Sequence, residues 1–339
     1  MASPFYKVEA GEETAGAGTR GTAVAATTKL ASLGFRPAMG YLNLIQPEEE
    51  RGSLAQYHRS YIASKLVEGT LEGEATFEEI IIPLCMNIED IDGSAASTIT
   101  SSTYDWDFEP NWTSANNPGT WTMEWGDDVQ AWEAEYVFGT GLTISGATEE
   151  SWMISSDVAG RKLTTASFSG SSVVSDLENI LFQESKLYID DESSTIGTTQ
   201  ITGSFLDFEW SLGQHYTYRF TGDGELYFNS HKECKHAPEL TLTLVLDATT
   251  KTQLTTKYEN ETQQVVRIAA DGGTTGDGGY SKYCYIDGCY KITDVSELGD
   301  SDCDTIVSLT MTGEYGSTYG KMYNIQVRNK LQYPPGESS

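Results

Sequence analysis

The stretch KLVEGTLEGEATF, Lys65 to Phe77, decides the fold class. Val67, Leu71 and Ala75 fall on one parity, and Glu68, Thr70, Glu72 and Glu74 on the other. Successive side chains of a strand point to opposite faces, so this period of two predicts a strand with one buried face and one acidic, wet face. Thr76 and Glu79 have capping-box spacing just ahead of an apolar run. That predicts a short helix from about Phe77 to Asn87, which Pro83 would bend or end early.

Working outward, Trp121, Met123 and Trp125 alternate with Thr122 and Glu124, which places these tryptophans in a core. Further period-two runs are ITGSFLDFEW (201–210), YTYRF (216–220), ELTLTLVL (239–246), IVSLTMTG (306–313) and YNIQVRN (323–329), each bounded by turn residues. Helical periodicity is scarce elsewhere. With 33 Gly, 19 Tyr and only 21 Lys plus Arg, the composition also favours strands and turns. The expectation is a mainly β fold, a sandwich or barrel with one short packed helix.

AEYVFGTGLTIS (134–145) echoes YCYIDGCYKITD (283–294), with Tyr136 over Tyr285 and Gly139 over Gly288. A spacing of about 150 residues fits two copies of one β-domain, and a dozen similar residues leave one domain with an appended one open as well. Residues 1–29 lack periodicity and read as an extended arm that orders against a partner. Residues 30–170 then form a first β-domain, 171–331 a second domain or repeat half, and 332–339 a tail. Residues 92–120 read as a long loop or a loosely held hairpin. Trp106, Phe108 and Trp112 lie in it, where burial has to come from something else; a neighbouring subunit is the natural candidate.

The net charge of −29, from 50 acidic and 21 basic residues, argues against a nucleic-acid reader, because phosphate binding needs Lys and Arg to displace counterions. The start MASPFYKVEAGEE lacks the pattern of a secretory signal, and the longest apolar stretch is too short to span a bilayer, so a soluble protein made in the cytoplasm is expected. Five cysteines (Cys85, Cys234, Cys284, Cys289, Cys303) suggest reduced thiols rather than a disulfide framework. His231, Cys234 and His236 match no common closed zinc site and read as an exposed polar turn. DGGTTGDGG (271–279) lacks a bidentate Glu for calcium and reads as a flexible tip. No nucleophile has a neighbouring base, and no carboxylate pair is singled out, so neither catalysis nor a cofactor or metal is expected.

The order of segments resembles the major tail tube proteins of siphophages. The likeness rests on EETAGAGTRGTAV near the start, LGFRP (33–37), PEEERGS (47–53), LVEGTLEGEATFEEI (66–80) and YNIQVRNKL (323–331), and is strongest over residues 20–90. It implies a virion structural protein of the tail, assembled in the host cytoplasm into stacked rings. One sheet of each subunit would join its neighbours around a lumen through which DNA passes without specific binding. A loop would reach the adjacent ring, for which 92–120 is suited, and other tail proteins would meet the tube ends. Glu68, Thr70, Glu72 and Glu74 would then face the lumen. A duplicated chain would close a pseudo-sixfold ring with three copies, and an unduplicated one with six. The alternatives are a carbohydrate- or receptor-binding module that uses Trp106 and Trp112 as a stacking platform, and a polysaccharide-degrading enzyme.

Overall fold

The alternation that opens the sequence reading is a strand: Val67 and Leu71 are buried, while Glu68, Glu72 and Glu74 are exposed. The computed structural model describes residues 5–13, 19–91, 97–100, 102–170, 172–174, 176–276, 278–301 and 304–336. It is mainly β with short helices. The first half contains β1 (Lys7–Glu12), β2 (Leu33–Phe35), β3 (Leu42–Ile45), β4 (Tyr61–Lys65), β5 (Val67–Glu74), α1 (Ile81–Asn87), β6 (Thr103–Phe108), β7 (Trp121–Gly126), β8 (Ala131–Ala147), β9 (Met153–Gly160) and β10 (Lys162–Ala166). The second half contains β11 (Ser185–Asp191), β12 (Phe205–Leu212), β13 (Tyr216–Arg219), β14 (Ser230–Glu233), β15 (Pro238–Val245), α2 (Ala248–Thr252), β16 (Gln264–Thr274), β17 (Ser281–Val295), β18 (Asp304–Gly313) and β19 (Tyr323–Asn329). A few shorter strands are left unlabelled.

The two halves repeat one pattern of pairing. In the first, β1 pairs with β7, β2 with β5, β5 with β9, and the long β8 with β7, β9 and β10. In the second, β11 pairs with β16, β12 with β15, β15 with β18, and the long β17 with β16, β18 and β19. A detached ribbon interrupts each half at the same place, β3–β4 between β2 and β5 and β13–β14 between β12 and β15. A short helix follows β5 and β15 alike. Strand β6 lies outside this pattern and pairs with β19.

The glycines of the sequence echo have a physical reason. A Cβ on Gly139 would lie 2.2 Å from the Asn87 amide, and one on Gly288 would lie 2.4 Å from the Tyr290 ring. At both points a long strand is crowded where its partners change, and glycine is the residue that fits. A bulge at Gly139–Gly141 then shifts the register of β8 by one residue.

Helix α1 is shorter than expected because residues 77–80 form turns before it. Thr76 Oγ1 accepts the Glu79 N–H at 3.0 Å, as half of a capping box. The Glu79 carboxylate does not return to Thr76; it accepts the N–H groups of Ala31 and Ser32 at 2.8 and 2.9 Å. Pro83 sits in the first turn, where its missing N–H costs no bond, and the helix runs on to Asn87. All seven residues are buried, which ties α1 to a hydrophobic core that draws on strands of both halves.

Two expectations are corrected. The N-terminal segment needs no partner chain in order to fold: β1 pairs in register with β7, and Val8 and Ala10 are core residues. Residues 1–4 and 14–18 of that segment lie outside the described residues. The stretch 92–120 is not one long loop but contains the hairpin that was its other reading, Ser97–Thr100 paired with β6, and this hairpin is firmly and not loosely held, since β6 extends the sheet beside β19.

Candidate functional site

Pairings across the two halves build one sheet in the order β2, β5, β9, β8, β12, β15, β18, β17. The halves meet where β8 pairs with β12, Leu142 opposite Leu212, Thr143 opposite Ser211 and Ile144 opposite Trp210. Inward residues such as Leu71, Ile144, Trp210, Leu242 and Leu309 are buried in the core.

The outward face is mainly polar, with Met153 an exposed apolar residue on it. One row of opposed residues crosses all eight strands: Gly34, Glu72, Ser155, Thr143, Ser211, Glu239, Thr312 and Lys291. The next row reads Glu74, Met153, Ser145, Glu209, Thr241 and Thr310. Glu68, Thr70, Asp157, Asp207, Thr243 and Ser308 extend the same face on either side. Apart from Gly34 and Met153 the side chains of these rows are hydroxyls and carboxylates, and Lys291 is the cation in the full row. Glu72 and Glu239 stand four strand spacings apart in the full row, about 19 Å, with hydroxyls between them, so the face is negative overall through several separate carboxylates.

Near β5 the face dips into an open depression of about 620 Å³ lined by Arg36, Glu68, Thr70, Asp157, Gln214 and Tyr218. The Tyr218 hydroxyl donates to Glu68 at 3.2 Å, and Thr70 donates to Asp157 at 3.4 Å. No base and nucleophile meet there, and the surface offers charge and hydrogen bonds without an enclosed site.

Glu68, Thr70, Glu72 and Glu74 therefore share one solvent-facing row on β5, with Thr70 half-buried. Period two marks β15 and β18 as strands in the sequence but does not tell that their outward residues share this face. Their signal was present in ELTLTLVL and IVSLTMTG, where Thr and Ser occupy every outward position between buried Leu, Val and Met.

The loop aromatics are a correction. Trp106 is 1% exposed, and its indole N–H donates to Asn329 at 3.0 Å; Phe108 is fully buried in the same strand. Trp112 packs against the core, with edge contacts to His236, Tyr315 and Tyr323. Pairing of β6 with β19 draws Trp106 and Phe108 into the core of their own chain, so these two supply neither an inter-subunit contact nor a stacking platform, while Trp112 lies beyond the strand and is half-buried. The turn holding His231 and His236 is likewise not simply exposed: His236 accepts or donates at Tyr323 and Glu233, at 2.7 and 2.8 Å. Burial pushes the His231 imidazole down to about 4, with Arg20 adding to the shift.

Among the described residues no group of His, Cys, Asp or Glu could hold a metal ion, and no helix is long and apolar enough to cross a membrane. Cys85, Cys234, Cys284 and Cys289 form no disulfide among the described residues, and Cys303 lies outside them. No family model matches this chain, and no curated protein matches it.

Proposed function

We propose that this chain is a tail tube subunit, a structural protein whose copies close into rings and stack into a conduit for viral DNA. One observation carries the reading. An eight-stranded sheet packs a core on one side and turns a polar, net-acidic face to water on the other, and among the described residues it ends in β2, which pairs with β5, and in the last residues of β17, which beyond Tyr290 pair with β18 alone. Strands with unpaired edges are a liability in a monomer and a means of growth in an assembly. The wet face suits a lumen because like charge keeps phosphates from adhering to the wall, so the conduit releases what it conducts.

Strands of a closed barrel tilt by about 35–45° and lie about 4.8 Å apart, so the strands of two copies close at about 30–35 Å across the backbone and those of three copies at about 45–52 Å, the wider ring leaving more room for a duplex. Three copies also make six repeats, which agrees with the pseudo-sixfold ring that the resemblance implies. The ribbon β3–β4 replaces 92–120 as the element reaching out of the ring, since Leu54 and Tyr57 at its tip are exposed.

Negative-stain electron microscopy over a range of salt tests the proposal. Hollow tubes or stacked threefold rings, promoted by salt that screens the acidic surface, are the expected result. Compact single particles at every concentration and salt, together with binding of the face to a ligand, would overturn it.

A further inference from the structure

We infer that the joint between the two halves of the chain is copied between molecules, so that β17 of one molecule pairs with β2 of the next as β8 pairs with β12 within one. The occupant of each open edge is a second copy of this chain. The inference deepens the ring proposal and rests on it only for closure; the joint itself rests on the repeat.

The register is fixed by counting. Glu72 precedes the first residue of α1, Ile81, by the same number of residues as Glu239 precedes the first residue of α2, Ala248. Taking Glu72 and Glu239 as counterparts, their strand partners become counterparts in turn: Gly34 with Ser211, Ser155 with Thr312, and Thr143 with Lys291. The sequence echo agrees once the bulge at Gly139–Gly141 is allowed for, because it sets Tyr136 over Tyr285 and the shifted Thr143 over Lys291. Thr143 is paired with Ser211 inside the chain. The same pairing between molecules puts Lys291 opposite Gly34, and the polar row that starts at Gly34 and ends at Lys291 then closes on itself. Lys291 would stand beside the strand that carries Glu72, which is the favourable order of charge.

A second observation points to the same partner. Ribbon β13–β14 of the second half packs on the first half: Tyr216 is fully buried, and Phe228 lies 5.2 Å from Tyr136 and 5.9 Å from Phe138, ring centre to ring centre. Its counterpart β3–β4 leaves Leu42, Leu44 and Ile45 at 41, 53 and 38% exposure. The same element is covered where a half precedes it in the chain and bare where none does. A preceding molecule supplies the missing half. In the monomer, side chains guard part of the β2 edge, since Glu79 accepts the Leu33 N–H at 3.3 Å and the Tyr6 hydroxyl donates to the Phe35 carbonyl.

Disulfide trapping tests the register. Directly opposed residues of antiparallel strands have Cα atoms about 4.5–5.5 Å apart, within the range a disulfide spans. In a C234S/C303S background, Lys291→Cys and Gly34→Cys are made singly and together; a Cβ on Gly34 finds only the Glu72 carbonyl, at 3.7 Å, so the fold accepts it. On oxidation each single variant should run uncross-linked on a denaturing gel, their mixture should give a linked dimer, and the double variant should lose its monomer band to a linked trimer. Rings or tubes in the microscope without any cross-link would overturn this joint and leave the tube reading standing. Cross-linked chains that never close or stack would support the joint and overturn the tube. Monomers by sedimentation at every concentration, with no cross-link, would overturn both.

Discussion

Lys282 Nζ lies 2.5 Å from Glu78 Oε1, with both side chains 2% exposed. Lys282 opens β17 of the second half, and Glu78 lies between β5 and α1 of the first, so a buried ion pair bolts one repeat to the other. Glu178, from the segment between the halves, also reaches Lys282, at 3.0 Å. Burial raises the Glu78 carboxyl above its usual range, while the two carboxylates hold the Lys282 ammonium up against its own burial.

Removing one partner of such a pair leaves an uncompensated buried charge, which is costlier than never having made the pair. Lys282→Met should lower the unfolding free energy by about 3 kcal/mol in urea titration. Glu78→Leu combined with Lys282→Met should recover a large part of that loss. Equal destabilisation by the single and double variants would show that packing, and not the unpaired carboxylate, carries the effect.

Glu79 makes a comparable prediction for the edge strand. Its carboxylate gathers the N–H groups of Ala31, Ser32 and Leu33, and the Ser32 hydroxyl donates to it at 2.5 Å. Glu79→Ala strips these donors of their acceptor and should cost about 3 kcal/mol. Because the donors flank β2, exchange of the Leu33 amide proton should speed up more than that of Leu242 in the middle of the sheet. Uniform acceleration across the sheet would contradict a local role.

What the sequence discloses is set by how local each signal is. Period two marked β5, β12, β15, β18 and β19 because each alternates within its own few residues. The helix α2 escaped notice because ATTKT is rich in Thr, a strand former; its one local signal was Asp247, whose side chain caps the N–H groups of Thr249 and Thr250. Trp106 misled because its surroundings, TYDWDFEP, are polar. The strand that buries it is β19, more than two hundred residues away, and no local pattern reports such a partner. The repeat was legible only at its most crowded point, around Gly139 and Gly288. Elsewhere the two copies share pairings and not residues.

Acid should act on the protein through two histidines that burial lowers to about 4, His215 ahead of β13 and His231 in β14. His231 Nδ1 lies 3.2 Å from the Tyr136 hydroxyl, among Phe138 and Tyr216, and burial lowers its imidazole to about 4. An unfolded chain protonates this histidine near 6.5, so the unfolded state binds more protons between those values. Its contribution is therefore fully present above pH 6.5 and is lost as pH falls towards 4. His231→Phe should flatten the decline of stability across that window by about 1–3 kcal/mol, the lower end reflecting the ring's partial exposure. An unchanged slope in paired thermal melts of the two proteins would refute the assignment. The raised carboxyls of Glu13 and Glu78 act in the opposite sense, and the comparison cancels them.

The acidic face makes the most direct prediction about conduction. Glu68, Glu72 and Glu74 are exposed on β5, and the row through Glu72 continues to Glu239 on β15. If these carboxylates serve only to repel phosphate, changing all three on β5 to Gln should leave the fold intact and let assembly proceed at lower salt, because repulsion between copies falls. Changing them to Lys should go further and make assembled particles retain duplex DNA in a gel shift, with retention lost as salt rises, since each new cation releases counterions from the phosphates. Wild-type particles should retain none at any salt. Retention by the wild type would mean that the face binds the polymer instead of releasing it. Lys variants that assemble normally and still ignore DNA would mean that the face does not line the channel.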